Sequence, residues 1–202
     1  TVGDAIQSYV RHLDAPLKVA EFERLTAPLA GVHDVDPQHA VFFVEQIQGY
    51  EKRAEIPVPV RAADHRFAGL IRRLVSVLAR NLFSYRPQEL LGIRAGIFAS
   101  VLGSDELVTK DELDVSHVLA LYLREHDADL TTEDFVVVVR VLDKAAIAPD
   151  DVIFIANRIE RHLPKSAGLH AGVERSLRQI LAACADVIAR SMQNIELSSF
   201  AN

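Results

Sequence analysis

The side chains with the greatest chemical reach in this sequence fall into a few short clusters, and each must be weighed against a plainer use. In Asp127-Ala-Asp-Leu-Thr-Thr-Glu-Asp134, the residues Asp127, Asp129, Thr131 and Glu133 occupy the first, third, fifth and seventh positions of a calcium loop. An EF-hand loop also needs glycine at its sixth position and a bidentate glutamate at its twelfth. Thr132 and Val138 stand there instead, so the segment reads as an acidic turn leading into a helix. His33, Asp34, Asp36 and His39 offer imidazole and carboxylate donors of the zinc-binding kind. Asp36 precedes Pro37, however, which is the order of a helix N-cap and first helical residue, and the four donors straddle that boundary. Asp64-His65 and His126-Asp127 are adjacent in sequence, which does not turn their side chains toward one another. Cys184 lies on the stripe Val173, Leu177, Ile180, Cys184, Val187 and is expected to be a small core residue. Nucleophile-elbow, phosphate-loop and dinucleotide glycine motifs are absent from the sequence. The expectation is a non-catalytic protein with no cofactor and no metal.

Charge carries more information. From Arg61 to Arg94 there are seven arginines against Asp64 and Glu89, a net of +5, whereas Asp105 to Asp151 holds thirteen acids against Lys110, Arg124, Arg140 and Lys144, a net of −9. Arg66, Arg73 and Arg80 recur every seven residues, which on a helix aligns them about 10 Å apart on one face. Such a row can meet RNA phosphates, an acidic protein or anionic lipid, or it can be a solvated face or one that pairs with the chain's own acidic segment. Only Phe67, Phe83 and Tyr85 lie nearby, too few for a base-stacking ladder, and the overall charge of −6 does not favour general nucleic-acid binding.

The elements that would position these groups are helical. Half of the 202 residues are apolar and a quarter charged, an ordinary globular balance. Apolar residues recur at three- and four-residue spacing, and caps and prolines cut the chain into helix-sized pieces. Asp36-Pro37 opens one helix and Ala148-Pro149-Asp150-Asp151 another. Arg86-Pro87-Gln88-Glu89 opens a third that is expected to run through Leu90, Leu91, Ile97 and Val101. Thr109–Glu112 has capping-box spacing. Further helices are expected at about 3–13, 15–30, 64–84 and 168–197. Ile56–Val60, with two prolines, is an extended connector.

The run Phe135–Val139 is ambiguous, because valine favours strands while Thr131 or Thr132, followed by Glu133 and Asp134, favours a helix start. Placed on a helical wheel, Phe135, Val138, Val139 and Leu142 share one face, opposite a strip of Glu133, Val137, Arg140 and Lys144. The spacing predicts a helix over 132–145, lying between 111–126 and 149–162. The alternative is a small β-containing subdomain built from 135–142 and 152–156.

Together these segments predict an all-α chain of about eight or nine helices in stacked antiparallel hairpins, forming a short irregular solenoid or a bundle. The expected organisation is an N-terminal helical hairpin region (1–55), a proline-containing connector (56–63) and a main helical-repeat region (64–202), continuous enough to form one domain. "LTAPLAGVHDVDPQ", "LARNLFSYRPQ", "LREHDADLTTED" and "LDKAAIAPDD" each end one helix and begin the next at irregular spacing. In this the chain resembles degenerate helical-hairpin repeat proteins of the HEAT, armadillo and organellar tricopeptide kind, over about 15–163. The resemblance is architectural and carries over no functional residues. The extended surface of short hairpins, the segregated charge and the lack of a catalytic motif point to a scaffold or accessory subunit of a larger assembly, placed in the mitochondrion by the repeat type and contacting other protein subunits. The alternatives are an organellar RNA-binding repeat protein using segment 61–94 and an enzyme with a scattered His/Asp site. Candidate contact residues are Arg66, Arg73 and Arg80, and the seam Val173, Leu177, Ile180 and Val187, whose four-and-three spacing is that of a coiled coil. A single cysteine and no apolar run of membrane-spanning length suggest a reducing intracellular compartment, the mitochondrial matrix or the cytoplasm. The Thr-Val start suits a processed or trimmed chain, and the internal Lys110–Leu113 "KDEL" is not a retention signal, which is read only at a C-terminus.

Overall fold

The computed structural model describes all residues except 32–34, 54–66, 108–113, 127–129, 144–145, 169–170 and 201–202, and gives the backbone alone for 53, 167–168, 171 and 194–200. The described residues are all-helical, with no strand. The helices are α1 (Val2–Arg11), α2 (Val19–Gly31), α3 (Pro37–Arg53), α4 (Ala68–Arg80), α5 (Pro87–Leu90), α6 (Ala95–Leu102), α7 (Val115–His126), α8 (Thr132–Val139), α9 (Pro149–His162) and α10 (Ala171–Phe200). Short 3-10 turns follow α4, α8 and α9. The 56–63 connector, the Thr109–Glu112 box, the internal Lys110–Leu113 and the aspartates Asp127 and Asp129 lie outside the described residues.

The chain forms two compact units. Unit 1 comprises Thr1–Tyr85 and Gly92–Glu106; unit 2 comprises Arg86–Leu91 and Leu107–Asn202. In unit 1, α4 packs on α2, α3 and α6, while α1 packs on α2 and α3. The core is aromatic at its centre: Phe22 stacks on Tyr50 with ring centroids 4.3 Å apart and meets the edge of Phe67 at 5.8 Å. Residues 68–80, expected with the main repeat region, thus share a core with the N-terminal helices. The local starts follow the sequence chemistry. The Asp36 carboxylate accepts from the Gln38 amide at 2.9 Å, and Pro37 supplies the first helical residue.

The helix opened by Pro87 is interrupted, which separates α5 from α6; the ten helices among the described residues agree with the expected all-α chain of about eight or nine. A buried amide from α3 causes the break. Gln48 Nε2 donates to the Gly92 carbonyl at 2.8 Å, and Gln48 Oε1 accepts from the Arg94 amide at 2.7 Å. Both backbone groups are therefore satisfied outside the helical ladder. Arg94 closes the same contact, its guanidinium reaching Glu51 at 2.9 Å and the Gln48 carbonyl at 3.1 Å. A Cβ at position 92 would meet the carboxylate of Glu45, the flexible end of an exposed side chain that can swing aside.

In unit 2, α10 is the organising element. It runs 30 residues, packs most extensively on α9, and also meets α8 and the turns at 140–143 and 163–168. The valine run is helical, which removes the strand alternative at 135–142. Thr131 is the cap, its hydroxyl accepting from the Asp134 amide at 3.2 Å. The α-helix ends at Val139, short of the expected 145, and tightens into a 3-10 turn (Arg140–Asp143) in which Val141 and Leu142 stay buried. Phe135, Val136, Val138 and Val139 are buried; Glu133 and Arg140 are exposed and Val137 half-buried, so the polar strip is thin. The main neighbours of α8 are α5, α10 and the 163–168 turn rather than the flanking 111–126 and 149–162 segments alone. At its start, Phe135 stacks flat on His162, centroids 4.1 Å apart, and Thr132 Oγ1 is hydrogen-bonded to His162 Nδ1 at 3.2 Å.

Replacing Gln48 with alanine would remove both of these part-buried hydrogen bonds and leave the Gly92 carbonyl and the Arg94 amide, which belong to exposed residues, to pair with water. Two such bonds together contribute roughly 1–3 kcal/mol. Urea denaturation of Gln48→Ala should show a loss of that size with an unchanged m-value; an unchanged midpoint would mean that the amide does not hold the break.

Candidate partner-binding surfaces

The row Arg66, Arg73, Arg80 is only partly visible as a surface. Arg66 lies outside the described residues. Arg73 is half-buried, and Arg80 is exposed beside Glu106, its Nε 3.8 Å from the carboxylate and 3.4 Å from the Ser76 carbonyl. The Ser76 hydroxyl donates to the same Glu106 carboxylate at 2.8 Å. Glu106 belongs to the acidic segment, so at this position the chain's own acid meets the row.

The C-terminal seam divides differently. Leu177, Ile180 and Cys184 are fully buried within unit 2, and Val173 and Val187 are half-buried. The heptad-like spacing here covers α9 and the adjoining turns. Burial pushes the Cys184 thiol up to about 11, because low-dielectric surroundings disfavour the thiolate. It is a packing residue, as its place on the stripe implies.

The zinc-type cluster does not assemble from what is described. His33 and Asp34 lie outside the described residues, as do both members of Asp64-His65. Asp36 is used as a cap, and His39, buried, turns its Nε2 to Asp4 at 3.1 Å. Among the described residues no group of three or more His, Cys, Asp or Glu side chains is placed to hold a metal ion. His126, whose partner in sequence is Asp127, packs its ring on Tyr122 at 4.7 Å. Tyr122 is fully buried, and burial raises its hydroxyl above the usual tyrosine range, with the charges of Glu89 and Glu125 acting in the same direction.

Sequence reasoning missed the strongest polar constellation in unit 2. Asp151, in the first turn of α9, is 1% exposed. Its carboxylate accepts from His117 Nδ1 at 2.8 Å and from Arg124 Nη2 at 3.3 Å, both on α7. The partners sit 34 and 27 residues away, so no local spacing announces them. One turn back, the Ser116 hydroxyl accepts from the Ala148 amide at 2.8 Å and donates to Asp114 at 2.6 Å, tying the approach to α9 onto α7. The Arg124 guanidinium also lies 4.5 Å from the centre of the Phe154 ring, which Arg158 approaches at 4.9 Å. His117, Leu121 and Arg124 follow one another at four and three residues, and all three retain exposure at this α7–α9 face.

No helix among the described residues is long and apolar enough to cross a membrane. Two solution measurements check the placements above. A thiol reagent should leave native Cys184 unmodified over minutes and titrate it fully in denaturant; fast native labelling would contradict its burial. For the Asp151 group, a His117→Ala/Arg124→Ala double variant leaves a buried carboxylate unpaired, a loss of about 3–5 kcal/mol. Asp151→Asn should cost clearly less in the same denaturation experiment, since the exposed sides of His117 and Arg124 can turn to water. The reverse order would overturn this account of the group.

No family model, curated protein or solved structure matches this chain.

Proposed function

We propose that the chain is a non-catalytic helical scaffold or accessory subunit of a larger assembly, working through protein–protein contacts. The α7–α9 face is the observation that carries this reading. Its surface residues are of the types that concentrate binding energy at interfaces, arginine and aromatic side chains beside an aliphatic one. Arg124 is held from below by Asp151 and laid against Phe154, so its geometry is set before any partner arrives. Less side-chain entropy is then lost on contact. Leu121, 36% exposed, stands between His117 and Arg124 on the same α7 face and gives this polar frame an apolar centre. A mitochondrial location belongs to the proposal through the repeat-type resemblance alone.

The test compares the hydrodynamic size of the chain in extracts of its native source with that of a Leu121→Glu variant. Leu121 is exposed, so the variant should keep its thermal stability. The expected result is a wild-type chain in a species well above its own 22.3 kDa and a variant shifted toward the monomer. A wild-type monomer in the extract would refute the scaffold reading. If nuclease treatment rather than Leu121→Glu releases the chain, the RNA-binding alternative takes its place.

A further inference from the structure

Unit 1 contains a groove of about 640 Å3 between α4 and the turn after α6, with Ala30 of α2 at its edge. That volume lies within the range of small-molecule sites. The two walls differ in sign. Arg72 and Arg73 stand on the α4 side, Asp105 and Glu106 on the other. Glu106 is engaged by Ser76 and Arg80, and Arg73 has contacts of its own. Arg72 and Asp105 remain: both are exposed, and neither makes an ion pair or hydrogen bond with a described residue, each other included. Gly69, in the first turn of α4, lines the same groove, and a Cβ added there would meet no atom within 4 Å.

We infer that this groove binds a small zwitterion of the amino-acid or short-peptide class, its carboxylate on Arg72 and its ammonium on Asp105. A guanidinium presents a planar fork of donors that matches a carboxylate, and an aspartate accepts from an ammonium. A simple anion would gain Arg72 and Arg73 but face the two acids. A simple cation would meet the converse. Only a ligand carrying both charges gains from both walls, and neither charge has to abandon an existing partner to receive it. This site is independent of the α7–α9 face and of the scaffold reading.

Calorimetric titration of the full chain with L-alanine and with trialanine tests the inference, with acetate and methylammonium as the separated halves. At least one zwitterion should bind with a Kd of about a millimolar or tighter, and each half at least about tenfold more weakly, a difference of about 1.4 kcal/mol. Preference between the two zwitterions separates a free amino acid from a peptide source. Arg72→Glu and Asp105→Lys should each weaken binding about tenfold or more, and the double exchange should recover it, because the ligand can lie reversed. Gly69→Leu should abolish binding by filling the open space while the circular dichroism spectrum stays unchanged. The inference fails if neither zwitterion binds, if acetate binds as well as they do, or if the single variants bind like the wild type.

Discussion

A helix whose apolar residues run most of the way round its circumference must be covered on several sides, and α8 imposes that requirement on unit 2. Phe135, Val136, Val138 and Val139 are all buried within two turns, leaving only a narrow exposed line through Glu133 and Arg140. Each such side chain contributes about 1.5–3 kcal/mol when removed from water. No single neighbour can enclose them. The cover comes from α5, from the long α10 and from the turn after α9, whose preceding His162 lies flat on Phe135. The Leu177–Cys184 stripe of α10 is buried chiefly through its packing on α9 and the adjoining turns.

Hydrophobic cover is non-directional, so it leaves the register of one helix on another open. Buried polar groups settle it. In unit 1 the Gln48 amide accepts only one placement of the Gly92 carbonyl and Arg94 amide, and thereby decides where α6 begins. In unit 2 the Asp151 carboxylate ties the first turn of α9 to His117 and Arg124, two turns of α7. These groups make directional bonds whose loss leaves a buried donor, acceptor or charge exposed to no partner, which is what gives them leverage over position.

The same distinction explains what could be read from the sequence. The all-helical class, the starts at Pro37, Thr132 and Pro149, the helical reading of the valine run and the core role of Cys184 all rest on residues within a few positions of one another. Period and capping are local, and local patterns survive in a single sequence. The break at Gly92 depends on a side chain 44 residues earlier, and the Asp151 group on partners 27 and 34 residues earlier. Nothing near Gly92 distinguishes a glycine that interrupts a helix from one that is merely tolerated in it. The seam of α10 shows a further limit. Four-and-three spacing states that a face will be covered, and says the same whether the cover is another chain or the chain's own α9.

Charge segregation along the sequence changes meaning once the chain is folded. The acidic stretch does not act as one surface: Asp151 is buried in a pair with α7, Glu106 is drawn to Ser76 and Arg80, and Glu133 lies on the exposed line of α8. The arginine-rich stretch is divided in the same way, with Arg94 turned to Glu51, Arg80 to Glu106 and Arg72 left facing the groove. Once these internal pairings are subtracted, what the surface of each unit can offer is set by a few residual groups. Arg124, laid on Phe154 beside Leu121, combines a positioned charge with apolar area, the combination suited to a protein partner. Arg72 and Asp105, of opposite sign and across an open groove, offer two separated charges, the combination suited to a small zwitterion.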